Sequence, residues 1–229
     1  MTINKYHIQV LVIEGVVVAL GAAVIFVIAW ARTLSQPTRA QAFLSDFLRL
    51  EIGKSTFEDA RVLAERHRGF PGYLPNGTLW CTYQRCAFSF VFENKPLTST
   101  HVVPWVGLFA EIDVKDGVVV GRYVDYKRYA RHPLSYDVRE TVPPPAGTPE
   151  WEGLRRKIGL SRMQVDPSGV ATAVSIGLEP YSNDDQRRRA YDLNLSCLSK
   201  LFGCGRPSGF FPQNIPYKGS PLQTHTENW

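Results

Sequence analysis

Apolar residues run almost unbroken from position 8 to position 31, and the 17 residues 15–31 carry no charge. A helix needs about 20 mostly apolar residues to cross a bilayer, so the run predicts a transmembrane helix over 8–31. The period then changes. Pro37 suits a first helical turn, where its missing N–H is not needed. Phe43, Leu44, Phe47, Leu48 and Leu50 recur at helical spacing through Ile52, with Gly53 as terminator. Ser55 and Glu58 have the spacing of a capping box. They predict a second short helix that buries Phe57, Ala60, Leu63 and Ala64 and ends at Gly69.

Beyond a Gly/Pro/Asn-rich loop over 70–78 the pattern becomes alternation. Phe88, Phe90 and Phe92 share one strand face, with Ala87, Ser89 and Val91 on the other. Segments 107–114 and 118–126 flank Asp116-Gly117, a strong hairpin signal. A two-residue loop there sets Glu111 opposite Arg122, a favourable cross-strand pair. Pro143, Pro144, Pro145 and Pro149 mark an extended connector over 142–150. A turn at Asp166, Pro167, Ser168 and Gly169 precedes a strand carrying Val170, Thr172, Val174, Ile176 and Leu178. Ser182 and Asp185 cap a long helix with the apolar stripe Ala190, Tyr191, Leu195, Leu198 and Phe202. From position 205 the chain reads as a loop-like tail. The expected class is α+β: an N-terminal transmembrane helix, two short helices packed on an antiparallel sheet, and a long C-terminal helix with a disulfide staple.

Composition changes this picture mainly by locating the domain. Beyond position 31 lie 198 of the 229 residues, enough for one substantial domain. Lys5 and Glu14 cancel, so that part carries the whole net charge of +5. This mild excess suits an anionic lipid surface or envelope polymer and is too diffuse to call for nucleic acid. Lys5 and Ala29-Trp30-Ala31 have the form of a cleaved leader, but the apolar core is long for one, which favours an uncleaved anchor. Lys5 on one side and Arg32 and Arg39 on the other leave the positive-inside rule nearly balanced. The four cysteines, Cys81, Cys86, Cys197 and Cys204, all follow the anchor as two close pairs, which suits an oxidising compartment. The expected topology is therefore a cytoplasmic stub over 1–7, a span over 8–31, and an extracytoplasmic domain over 32–204 on a bacterial inner membrane.

The cysteine pairs read as disulfide staples of about 2–3 kcal/mol each. The six-residue gap between Cys197 and Cys204 is wide for a zinc knuckle, so no metal is expected. None of His7, His67, His101, His132 and His225 has metal-ligand spacing, and no nucleophile elbow, phosphate loop or dinucleotide fingerprint occurs. No catalytic residue and no cofactor is assigned. Glu14, Gly15, Ala19 and Ala23 form a small-residue stripe around a carboxylate, a packing face for another membrane helix. The basic–aromatic stretch with Arg122, Tyr126, Arg128, Arg131 and His132 is the candidate binding surface, while Arg187, Arg188 and Arg189 read as a solvated helix face.

Residues 47–69, with an apolar helix followed by Gly53, Ser55, Thr56, an acidic residue and Ala60, resemble the opening of the small outer-membrane assembly lipoprotein domain (SmpA/OmlA type). That resemblance implies two helices on a short antiparallel sheet and a role in envelope assembly. The chain departs from it in lacking a lipid-modified cysteine after the leader and in continuing far beyond the domain. Val10 to Glu14, ahead of further apolar residues, is similar to the start of a type IV pilin or pseudopilin. No Gly-Phe junction precedes Glu14, however, and Pro37 and Gly53 interrupt the single long helix of that family.

The leading functional expectation is an accessory or interaction subunit of an envelope complex. Its partners are the lipid bilayer and another membrane or envelope protein, or a second copy of the chain. The alternatives are a protein binding glycan or anionic lipid, a hydrolase whose triad is scattered in sequence, and a pilin-like subunit.

Overall fold

The computed structural model describes residues 5–72, 81–99, 103–129, 133–142, 162–165, 171–178, 182–200, 204 and 209–211; the side chains of 5–11, 162–165 and 171 are not described. The fold is α+β. Helix α1 (Lys5–Thr33) contains the apolar run, and at about 1.5 Å per residue it is long enough to cross a bilayer. Two residues later the chain enters α2 (Gln36–Phe47), with Pro37 in its first turn. Next comes α3 (Phe57–His67). The strands are β1 (Phe70–Pro71), β2 (Arg85–Glu93), β3 (Trp105–Lys115), β4 (Val118–Tyr129), β5 (Leu134–Thr141), β6 (Arg162–Val165) and β7 (Ala171–Leu178). The four-residue helix α4 (Lys95–Thr98) joins β2 to β3, and α5 (Asp184–Ala190) follows the sheet.

The seven strands form one sheet in the order β1-β2-β3-β4-β5-β7-β6. All neighbours are antiparallel except β5 and β7. A parallel pair needs a crossover of a dozen residues or more, and the stretch that includes the proline-rich 142–150 supplies that length. Residues 143–150 themselves lie outside the described residues.

The core fills one face of the sheet. Phe43 of α2 packs on Phe90 and Phe92, with ring centroids 4.5 and 5.1 Å apart, and Phe57 of α3 packs on Phe88 at 5.8 Å. Ala60, Leu63 and Ala64 are buried as their spacing requires. His67 sits at the core edge, its ring against Phe43 and its Nε2 2.9 Å from Asp46.

Three local expectations are corrected. The α3 capping box uses Thr56 and Asp59, not Ser55 and Glu58. Ser55 is engaged elsewhere: its hydroxyl accepts from the Glu51 N–H and its carbonyl from the Val119 N–H. The hairpin register also differs. A bulge sets Val114 opposite Val119 and Asp113 opposite Gly121, leaving Val120 as the extra residue. Glu111 therefore faces Tyr123, and Arg122 faces Ile112. The inserted residue shifts the phase of β4 so that Val124 and Tyr126 enter the core.

The C-terminal helix is the third. α5 has seven residues and is capped by Asn183 and Gln186. A separate 3-10 turn, Leu195–Leu198, follows it. The chain leaves the helix at Tyr191, and Asn194 fixes the start of the turn: its side chain donates to the Gly209 carbonyl and accepts from the Ser196 hydroxyl. Ala190, Tyr191, Leu195 and Leu198 are still buried, and Phe202 lies outside the described residues. Phe210 and Phe211, placed by the sequence in a loose tail, are core residues, and Phe210 stacks on Tyr126 at 4.5 Å.

Candidate functional site

Arg122, Tyr126 and Arg128 do not form a surface. They occupy alternate positions of β4, and downstream of the bulge those positions point into the core, where all three are buried. Each reaches an internal partner. Arg122 donates from Nε to Glu140 at 2.8 Å, and its Nη1 donates to the carbonyls of Phe47 and Leu50 at 3.2 and 3.1 Å. It thereby closes the C-terminal end of α2, where main-chain carbonyls lack intrahelical donors. Its guanidinium also lies over the rings of Phe47 and Tyr191. Tyr126 donates to the Asn194 carbonyl, and Arg128 to the Cys204 carbonyl at 2.8 Å. Arg187 donates to Glu140 at 2.8 Å, so it is part of this interior network and not purely solvated; Arg188 pairs with Asp185 at the surface. Arg131 and His132 lie outside the described residues.

The cysteines pair as spacing suggested, Cys81 with Cys86 and Cys197 with Cys204. The first bridge stands beside the β3–β4 turn. There the Gly117 N–H donates to the Tyr83 carbonyl, and Gly117, at φ +76°, lets the Tyr83 ring lie directly over it. On α1, Glu14, Gly15, Ala19 and Ala23 are all exposed, and among the described residues a Cβ built at Gly15 would meet no neighbouring part of the molecule within 4 Å.

The opposite face of the sheet carries the concentration of acids that the sequence reading passed over. Glu111 and Asp113 on β3, Tyr123, Asp125 and Lys127 on β4, and Asp137 and Arg139 on β5 share it. Cross-strand register sets Glu111 beside Tyr123, Tyr123 beside Arg139, and Asp125 beside Asp137. Arg139 lies 5.0 Å from the Tyr123 ring centroid, Lys127 pairs with Asp125, and the Ser175 hydroxyl donates to Asp137 at 2.5 Å. Partial burial pushes the carboxyls of Glu111, Asp113 and Asp137 above the usual range. A neighbouring carboxylate adds to this for Glu111 (Asp113) and for Asp137 (Asp125). The Tyr123 phenol is raised by burial, whereas Lys127 is raised by its hydrogen bond to Asp125.

This arrangement can hold and exchange protons and can accept hydrogen bonds from a cationic or donor-rich ligand. Ser175 meets a carboxylate directly, a contact that orients Asp137 toward β7. Among the described residues no three His, Cys, Asp or Glu side chains are placed to hold a metal ion. The sequence did carry a signal for this face, since the polar residues fall on odd positions throughout 111–113, 123–127 and 135–139.

A second feature joins α1 to the domain. Ala29, Leu97 and Val103 form a small buried cluster with Phe26 against it, and Thr33 is buried with its hydroxyl donating to the Trp30 carbonyl. Asn94, also buried, ties α4 to β3. Its amide donates to the Pro104 carbonyl at 2.9 Å, and its oxygen accepts from the Val106 N–H and the Thr98 hydroxyl.

Comparison with protein-family models, with curated proteins and with solved structures finds no match to this chain.

Proposed function

We propose that the chain is a single-pass accessory subunit of a bacterial envelope complex, with its disulfide-stapled α+β domain on the extracytoplasmic side of the inner membrane making protein contacts. The observation that carries this reading is the contrast along α1. From Val12 to Ile25 its large apolar side chains are exposed, while its last turns, from Phe26 on, are locked to the domain through Ala29, Leu97 and Val103. Exposed apolar surface of this extent belongs in lipid or against another membrane helix. The stripe of Gly15, Ala19 and Ala23 offers close approach to such a helix, and the acidic sheet face offers a second contact for a donor-rich partner.

Cells fractionated with alkaline carbonate and then solubilised in mild detergent test the reading. The protein is expected to stay with the membranes, to expose thiols only after reduction, and to elute with a second subunit. Glu111→Lys is expected to lower the co-purifying fraction. Release by carbonate, free thiols in unreduced cells, or a lone monodisperse monomer each overturns the proposal.

A further inference from the structure

The link between α1 and the domain is too short for a tether: only Leu34 and Ser35 separate α1 from α2, whose Phe43 and Phe47 are core residues. The end of the sheet next to that link is defined by α4, which packs against Ala29 of α1 through Leu97. Two aromatic residues mark the same end. Trp105 opens β3 two residues after Val103, and Tyr129 closes β4 directly opposite it in register. The indole is held in place. It lies over Gly107, where a Cβ would come within 2.5 Å of the ring; it stacks on Phe109 at 5.5 Å and meets Tyr129 at 5.1 Å. Its Nε1 donates to Glu93 at 2.9 Å, and Glu93 lies 3.9 Å from the Lys95 ammonium. Tyr129 is 57 % exposed, Lys95 on α4 presents its charge to solvent, and so do Arg32 and Arg39 on either side of the α1–α2 link. Trp30, 39 % exposed, stands on α1 where the helix leaves its apolar stretch.

Tryptophan and tyrosine favour the headgroup level of a bilayer, where an apolar ring and a polar tip are both satisfied. Basic residues there meet the lipid phosphates, and long ones snorkel. We infer that the sheet end bearing Lys95, Trp105 and Tyr129 rests among the phospholipid headgroups of the leaflet that α1 leaves, so that the domain lies against the membrane. The inference rests on α1 being a membrane span. Its ground is continuity, since the aromatic end and the exit of the span share the α4 contact and no linker parts them.

The test uses the full chain carrying 5-fluorotryptophan, in nanodiscs of phosphatidylcholine and phosphatidylglycerol, with and without a headgroup spin-labelled phosphatidylcholine. The fluorine resonances of Trp30 and Trp105 are assigned from Trp30→Phe and Trp105→Phe, with Trp105→Tyr as the alternative should the phenylalanine variant not fold. The expected result is loss of Trp105 intensity in step with that of Trp30. Broadening of Trp30 with Trp105 unchanged overturns the inference and leaves the span intact. If neither resonance broadens, α1 is not at the bilayer and both readings fall.

Discussion

The two faces of β4 put similar residues to opposite uses. Toward the helices, Arg122, Tyr126 and Arg128 are buried and each donates to a named carboxylate or carbonyl in α2, in β5 or in the segment 194–204. Toward the other side, Tyr123, Asp125 and Lys127 stand among Glu111, Asp113, Asp137 and Arg139, where acids outnumber bases and burial raises three carboxyls. Buried polar groups whose hydrogen bonds are met hold a structure together. Half-buried carboxylates held away from water retain free energy that a ligand or a proton can release. The residues that looked most like a binding site from their composition are clasps, and the plainer acids one position away are the candidate site.

The largest effect should follow from breaking the clasp. Arg122→Met removes the more deeply buried of the two cations on Glu140, whose side chain is 2 % exposed, and takes the guanidinium donor from the Phe47 and Leu50 carbonyls. Breaking a buried pair from one side costs about 3–5 kcal/mol. Denaturant unfolding of the full chain in detergent, followed by circular dichroism, should show a loss of that order. Arg187→Met, at a side chain 27 % exposed, should lose about 1 kcal/mol or less. Equal losses from the two variants would mean that Arg122 does not hold α2 to the sheet.

This asymmetry also explains what the sequence disclosed. The apolar run, the helical spacing of Phe43 and Phe47 and the alternation of Phe88, Phe90 and Phe92 are local patterns, and the structure carries all of them. The phase of β4 was hidden because a single bulge residue, Val120, reverses which side chains point inward, and no local signal marks it. Arg122 and Arg128 looked like surface because their partners, Phe47 and Cys204, lie 75 and 76 residues away in sequence. The parallel pairing of β5 with β7 is likewise a contact between distant segments, and around the break after Ala190 the chain is held by Tyr136 and Gly209. The acidic face was written in the odd positions of three strands, but recognising it needed the register that places Asp125 beside Asp137.

The two disulfides extend the contrast. Their sequence separations are similar, 5 and 7, so loop entropy alone assigns both about 2–3 kcal/mol. Their settings differ. Cys204 presents its carbonyl to Arg128, and the Cys197–Cys204 bridge anchors the segment that brings Phe210 onto Tyr126. Cys81–Cys86 staples a turn at the far end of the β3–β4 hairpin. Replacing Cys197 and Cys204 by serine should therefore lower the unfolding midpoint more than the same change at Cys81 and Cys86. It should also raise amide exchange in 194–199, which the second pair should leave unchanged. Equal shifts with no local exchange would reduce both bridges to loop entropy.

The smallest effect, and the one specific to the acidic face, is its response to pH. The carboxyls of Glu111, Asp113 and Asp137 have folded values raised by burial, so the folded state binds protons more readily than the unfolded chain. Stability from these groups rises as pH falls through their raised values and levels off near the ordinary carboxylate range of about 4. Asp46 has the opposite sign. Hydrogen bonds from His67 and then Arg66 hold its carboxyl below the usual range, so its contribution is present above its unfolded value and lost as pH falls through the folded one. The unfolding midpoint should accordingly climb as pH drops from neutrality, pass a maximum, and fall at stronger acidity. Asp113→Asn with Asp137→Asn should flatten the climb and raise stability at neutral pH, while leaving the acid-side fall in place. Subtracting the two profiles cancels the groups that do not interact with Asp113 or Asp137, and the loss of Asp113 also relieves the repulsion that raises Glu111. A climb of equal slope in the variant would mean that the desolvated acids lie elsewhere than on this face.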